Sequence, residues 1–365
     1  MCFLPLSALF IHIKDIWHSQ GAVFQFGILL AYSYSFFALS KDYKIKNIPL
    51  ALLTFWLGIT TMIWWNMGIV IDSKYNFTLF MPFFNFLTMV IFYKLIIDYL
   101  EIKDLERIIK YFSYVIMVFL GYCVLQKFNL DQFHIPIDPA VDKRDLIVGT
   151  IGNPTHLAGY LSMLLPILYY YNSKLNTIGI FLAWLIIIMT GSSMGLIGAV
   201  LVTIFYLLFN RIRTKYDWVI LGSMITLFII AILFRGIDWK LFINPQGRLE
   251  EWSRLLPLLH KNPITGSGLG KIMSLGEMWK HAHCEYYQLA IETGVIGLGI
   301  AFYGIWKYFE EFIKLKTNKL AICLVSIFLA FLINALVSYP SHLWITSSLG
   351  MFAYSSLYCL KGEIQ

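Results

Sequence analysis

The residues best suited to chemistry gather in one stretch, His281 to Gly299, HAHCEYYQLAIETGVIGLG. His281, His283, Cys284 and Glu285 stand directly before a run apolar enough to enter a membrane. A histidine titrates near neutral pH, so it can hold or move a proton on a hydroxyl or a phosphate. On one continuous helix His281 and Glu285 lie four apart and can pair. His283, Tyr287, Ala290, Gly294 and Gly297 then line a strip that admits close helix contact. Glu292 lies about two turns deeper, where an ionisable group is costly unless paired or hydrated.

The segment 235–284 supplies cations to set beside those histidines. Arg248 offers a planar, permanently charged fork that matches phosphate oxygens, and Arg254 and Lys271 are weaker candidates for the same task. GRLEEWSRLLPLLHKNP reads as an amphipathic helix: Leu249, Trp252, Leu256 and Leu259 recur at helical spacing, and Asn262-Pro263 ends it. After it, GSGLGK (266–271) has glycines that can turn backbone N–H groups onto an anion. Its spacing is not that of a nucleotide loop, and a plain turn is the simpler expectation. Asn153-Pro154 suits a helix start, with Asn153 as N-cap and Pro154 at the first helical position. Such an N-terminus attracts anions, which makes Asn153 and His156 further binding candidates. Tyr339-Pro340-Ser341-His342 reads as a tight hairpin carrying His342. No Asp-x-Asp pair occurs, and Cys2, Cys123, Cys284, Cys323 and Cys359 show no metal-like spacing. No metal site is therefore expected.

The elements that must position these groups follow from composition. Hydrophobic residues make up 59% of the chain and charged residues 13%, with a mean hydropathy of +0.70. Soluble domains carry about 25% charged residues. Apolar runs over 21–39, 48–65, 77–97, 111–128, 154–171, 218–234, 285–306, 320–337 and 343–360 approach or reach the length that crosses hydrocarbon. Two shorter runs, 175–190 and 195–209, flank the break TGSSMG. Residues 1–13 are apolar but short, and no small-residue cleavage site follows them. No alternating barrel pattern is present, so helices must satisfy the backbone. The expectation is an all-α integral membrane protein, a single polytopic domain over 1–365 with about 11–12 transmembrane helices. One long extracytoplasmic loop, 235–284, carries the amphipathic helix.

The net charge of +7 is orientation information in this setting. With alternating spans, fifteen lysines and arginines between Lys41 and Lys361 fall in one set of loops, and only Lys74, Lys143 and Arg144 in the short loops opposite. That bias places the basic set in the cytoplasm and leaves little support for a nucleic-acid partner. His134, His156, His260, His281, His283 and His342 then share the outer side.

Several of these stretches resemble one known family. Arg248-x-x-x-Trp252, Pro263-x-x-Gly266-x-Gly268-x-Gly270, Ala282-His283-x-x-Tyr286 and Glu292-x-Gly294-x-x-Gly297 are similar, in order and spacing, to the signature region of the O-antigen ligase and polymerase family. GTIGNPTHLAGYL (149–161) and TGSSMG (190–195) resemble two upstream segments, so the likeness spans roughly 145–300. Cys284 stands where the family usually has asparagine, and Ser193 or Met194 where the ligase branch has a second arginine. The resemblance implies a bacterial inner-membrane glycosyltransferase with its site facing the periplasm or exterior. Its donor would be a glycan on undecaprenyl diphosphate, transferred with inversion to a glycan or glycolipid acceptor, with no cofactor beyond that carrier. Arg248 and His283 would be catalytic. From the residues' own chemistry, Arg254, Lys271, His281, Glu285, Asn153, His156 and His342 are the candidates for binding substrate. Glycan polymerisation and transfer to protein are alternatives within the class. A transporter or flippase of lipid-linked or anionic substrates is the alternative outside it, and would need broken helices and repeats.

Overall fold

The computed structural model describes residues 47–66, 76–131, 147–171, 173–210, 215–235, 248–274 and 281–364, with positions 24, 25, 27, 28 and 31. The expectations for residues 1–13, for most of 21–39 and for the parts of the long loop at 236–247 and 275–280 lie outside them. Every described regular element is helical. In chain order these are α1 Ile48–Asn66, α2 Asn76–Tyr99, α3 Ile102–Lys127, α4 Pro154–Tyr170, α5 Lys174–Met189, α6 Ser193–Asn210 and α7 Lys215–Arg235. There follow α8 Arg248–Lys261, α9 Lys271–Ser274, α10 Glu285–Leu315, α11 Lys319–Ala335 and α12 Trp344–Ile364, with a 3₁₀ turn at Pro340–His342.

Each predicted span from 48–65 onward falls on one of these helices, and the protein is an all-α integral membrane protein. Four helical stretches are long and apolar enough to cross a membrane: Pro82–Tyr99, Ile102–Lys127, Ser193–Asn210 and Glu285–Leu315. Four shorter apolar helices accompany them, Ile48–Ile63, Lys174–Met189, Asp217–Leu227 and Lys319–Ala335. Two boundaries differ from expectation. α3 starts at Ile102, because Glu101 and Asp104 form a capping box that draws a charged turn into the helix. α10 continues to Leu315, its charged last turns held by Lys307–Glu310 and Lys314–Glu311 pairs.

α4 is apolar on all sides and is therefore the central helix. Leu157, Leu161, Leu164, Leu165 and Leu168 are fully enclosed. It packs against α6 and α11. Gly195 on α6 lies so close to Ala158 that an added Cβ would stand 2.3 Å from the alanine methyl. Asn334 on α11 donates to Gly159 O at 3.0 Å and to Ser162 Oγ at 3.1 Å. Large apolar side chains such as Phe55, Val118, Leu208 and Trp306 point outward, as a bilayer-facing surface requires.

α10 is broken. Gly294 adopts φ 69°, ψ −176°, a conformation essentially reserved for glycine. The glycine-rich segment after α8 docks into the break. Ser267 N donates to Ile291 O at 2.8 Å, Gly268 N to Glu292 O at 2.9 Å, and Val295 N to Pro263 O at 2.9 Å. Trp56 on α1 donates its Nε1 to Thr293 O at 3.0 Å. Backbone groups released at membrane depth must find partners inside the protein, and here they do. This corrects one expectation: the strip from His283 to Gly297 is not one continuous helical face. GSGLGK is a turn, as the simpler expectation has it, with its Ser267 and Gly268 N–H groups committed to α10.

Candidate active site

Four chain segments meet at one end of the bundle: the start of α4, the start of α8, residues 281–285 leading into α10, and residues 337–342 between α11 and α12. Each is brought there for a local reason. Asn153 caps α4 by accepting from Thr155 N at 2.9 Å and His156 N at 3.4 Å, as expected, and this fixes His156 in the first turn. α8 is held through Trp252, whose Nε1 donates to Ala282 O at 2.8 Å, while Tyr287 Oη donates to Trp252 O at 2.7 Å. Leu255, Ile272, Ala282 and Ile291 form a small apolar cluster beneath.

Arg248, Glu251 and Leu255 are buried, whereas Leu249 and Leu256 are exposed. The Arg248 side chain is only 7% exposed. Nη1 donates to Val337 O, and Nε is buried with no partner. No carboxylate among the described residues pairs with this guanidinium. Burial draws its pKa below the ordinary arginine value, with Cys284 and Tyr339 acting in the opposite direction. It remains a cation at physiological pH. Arg254 lies on the exposed side of α8 in an ion pair with Glu251 at 3.8 Å, away from the cluster. Lys271 is buried at the start of α9, where burial lowers its pKa.

Tyr339 is the centre of the arrangement. His281 stacks on its ring with centroids 4.3 Å apart, and His156 and His283 meet it edge-on at 4.8 and 5.0 Å. Its hydroxyl is 3.1 Å from His156 Nε2, and Ser338 Oγ is 3.2 Å from His156 Nδ1. His342 lies 4.4 Å from His281, ring to ring. His281 is half-buried, and burial of its ring followed by the neighbouring histidines holds its pKa well below the usual range. It is neutral at pH 7, with Nδ1 buried and unpartnered. His283 has φ 51°, unusual for a non-glycine residue and costly unless its surroundings enforce it. Such strain concentrates at functional sites.

The expected His281–Glu285 pair does not form, because α10 begins only at Glu285 and leaves His281 in the preceding loop. Glu285 turns to the hairpin instead. Its Oε1 accepts from Ser341 N at 2.8 Å and Ser341 Oγ at 2.6 Å, and its Oε2 stands 3.7 Å from His342 Nε2. Gln288 links this pair inward: it accepts from Ala282 N at 3.2 Å and approaches His342 Nε2 at 3.2 Å and Glu292 Oε1 at 3.4 Å. Glu292 is 2% exposed and also accepts from Ile272 N at 3.4 Å. Below this row opens a largely apolar cavity of about 350 Å³ between α1, α2, α10, α11 and α12. Glu285, Gln288, Glu292, Ser341 and His342 form its polar end, and Leu57, Met89, Phe331 and Met351 are among its apolar walls.

The structure thus joins Arg248, His156, His281, His283, Glu285 and His342 around one tyrosine, leaving Arg254 outside. Tyr339, Ser338, Ser341 and Gln288 were not expected in the site. Only the turn signal at Tyr339-Pro340 pointed toward them. Among the described residues no group of three or more His, Cys, Asp or Glu side chains has the geometry to hold a metal ion. No curated protein matches the chain. The O-antigen ligase family model matches residues 178–302, about a third of the chain and short of the 149–161 segment. The matched stretch includes Arg248, His283 and Glu292, so over 178–302 the chain is similar to the O-antigen ligase family.

Proposed function

We propose that the protein is a membrane glycosyltransferase that moves a glycan from undecaprenyl diphosphate to an acceptor hydroxyl on the extracytoplasmic side. The observation that carries this reading is the buried Arg248 guanidinium, which no carboxylate among the described residues neutralises and whose Nε is unpartnered. A buried, uncompensated charge is strongly unfavourable, so an anionic ligand is the natural complement. The planar fork suits phosphate oxygens, and fixed cationic charge where a diphosphate leaves lowers the barrier. His283 sits beside Cys284, which lies within electrostatic reach of Arg248, and so has access to the reacting phosphate or the acceptor. The apolar cavity below the polar row fits the hydrocarbon portion of a lipid-carried substrate. In this reading the displacement is direct, inverts the anomeric carbon and needs no metal. The break in α10 is a feature that transporters use. Here its backbone groups are consumed by the 263–268 segment, which favours the enzyme over the transporter.

The test is glycan transfer in membranes containing matched amounts of wild-type, Arg248→Ala, Arg248→Lys and His283→Ala protein. Removing a donor aimed at developing charge costs about 10²–10³ in rate, and removing an acid–base group about 10²–10⁴. Arg248→Lys keeps the charge without the fork and should recover only part of the activity. Near-normal transfer by Arg248→Ala, or complete loss of wild-type transfer in EDTA with recovery on added Mg²⁺, would reject the arginine-based account.

A further inference from the structure

We infer that the cavity of about 350 Å³ holds the hydrocarbon anchor of the acceptor, and that Gly304 and Tyr354 at its floor set how long a chain it accepts. The inference rests on the glycosyltransferase reading and adds which of the two substrates the cavity serves. Charge decides between them. The walls include Glu285 and Glu292 and, among the described residues, no lysine or arginine. Arg248 and Lys271, the buried cations nearby, do not line it. A lipid seated here with a diphosphate head would press that head against the Glu285 carboxylate, and like charges brought together are strongly unfavourable. A sugar head has the opposite requirement. Its hydroxyls can donate to Glu285 and exchange hydrogen bonds with Gln288, Ser341 and His342 at the polar end. His342 lies 4.4 Å from His281 and 6.4 Å from Tyr339, ring to ring. A head group leaving the cavity therefore emerges beside the tyrosine around which Arg248 and His283 are gathered.

Size points the same way. Small-molecule sites run from about 300 to 1,000 Å³. A cavity of about 350 Å³ thus has room for one short chain and not for the long undecaprenyl chain of the donor. It begins at Ser341 and His342 and descends along α12 to Tyr354, which stands ~15 Å below Trp344 at the rise of a helix. There it is closed by fixed groups. The Tyr354 hydroxyl accepts from Asn47 Nδ2 at 2.9 Å, and its ring stacks on Tyr308 at 5.1 Å and meets Phe328 at 5.4 Å. Gly304 leaves open the space that a side chain would take. An added Cβ would stand 3.9 Å from Tyr354 Oη and 3.4 Å from Pro49 Cβ, ordinary contacts that need no backbone shift. A larger residue at this position therefore shortens the cavity without disturbing α10.

The experiment photolabels purified full-length protein in lipid nanodiscs with octyl and dodecyl maltosides that carry a diazirine at the chain end. The label is mapped by mass spectrometry, and glycan transfer is assayed in parallel. The dodecyl probe should mark Phe328, Met351 or Tyr354 in wild type and in Arg248→Ala, and excess undecaprenyl diphosphate should not displace it. Both maltosides should inhibit transfer by wild type. In Gly304→Leu, dodecyl labelling and inhibition should weaken by about tenfold for every two methylenes excluded, with the octyl probe nearly unaffected. Met351→Trp narrows the same end from α12 and serves if Gly304→Leu does not fold. An equal response of both probes to a folded floor variant would overturn the role given to Gly304 and Tyr354. Displacement by undecaprenyl diphosphate would assign the cavity to the donor, and no labelling against the nanodisc phospholipid would assign it to a bilayer lipid. Labelling without inhibition would take the cavity out of the reaction. Each of these results overturns the inference and leaves the transferase reading standing. That reading fails separately, if Arg248→Ala transfers normally.

Discussion

Arg248 Nε and His281 Nδ1 are both enclosed and both unpartnered. A buried polar atom left unsatisfied costs about 1–3 kcal/mol, so two of them beside one tyrosine are best explained by a ligand that supplies the missing bonds. Cys284 invites a different idea, a covalent nucleophile next to His283. Its surroundings argue against that. Burial raises the thiol pKa, and although backbone N–H groups of α10 oppose the shift, the net direction is upward. A thiol kept protonated at neutral pH is a poor nucleophile. Cys284→Ser should therefore retain substantial transfer activity. A glycan found attached to Cys284 by mass spectrometry would show this to be wrong. The cations and histidines were individually visible in the sequence, but their convergence on Tyr339 was not. His156 and Tyr339 are 183 positions apart, and only the folded bundle brings them to 3.1 Å.

At the level of the elements, the membrane helices were readable because long apolar runs have few alternatives. Two local departures were not. The run ETGVIGLG looks like a small-residue helical seam, yet Gly294 breaks it, because the compensating hydrogen bonds come from a segment some thirty residues upstream. The inward face of α8 was not legible either: the spacing marks Leu249, Trp252, Leu256 and Leu259 as an apolar face, and nothing in it tells that Arg248 and Glu251 turn inside while Leu249 and Leu256 stay out. The break fixes the 263–272 segment, whose Ile272 N–H meets Glu292, and thereby joins α8 to α10. Gly294→Ala should be severe. An added Cβ would stand 2.1 Å from Ile264 O, a backbone atom that cannot swing away. The backbone conformation alone costs a non-glycine residue about 1–3 kcal/mol. The expected outcome is undocking of the glycine-rich segment, read as faster limited proteolysis between Asn262 and Lys271 together with loss of transfer. Wild-type proteolysis rates and activity in this variant would show that the break is incidental.

Across the whole molecule, the two ends of the helices have opposite character. The candidate site occupies the end formed by the start of α4, the start of α10 and the α11–α12 turn. At the other end, Tyr170 and Tyr171 at the close of α4 donate to Glu106 near the start of α3. Lys319 at the start of α11 lies over the Tyr170 ring at 5.3 Å. Lys314 and Lys361 converge there on Glu311. Lys103, Arg107 and Lys110 belong to the same first turns of α3. These described basic residues thus gather at the end remote from His156, His281, His283 and His342, the arrangement expected if that end faces the cytoplasm. A reporter fused after Lys215 or Lys316 should accordingly read cytoplasmic, and one inserted within 275–280 should read exterior. The consequence reaches the proposed chemistry, in which a lipid diphosphate and its acceptor meet at Arg248 on one side of the membrane. If the 275–280 insertion reads cytoplasmic while the Lys316 fusion reads exterior, the site opens toward the cytoplasm, and an extracytoplasmic transfer reaction cannot be its function.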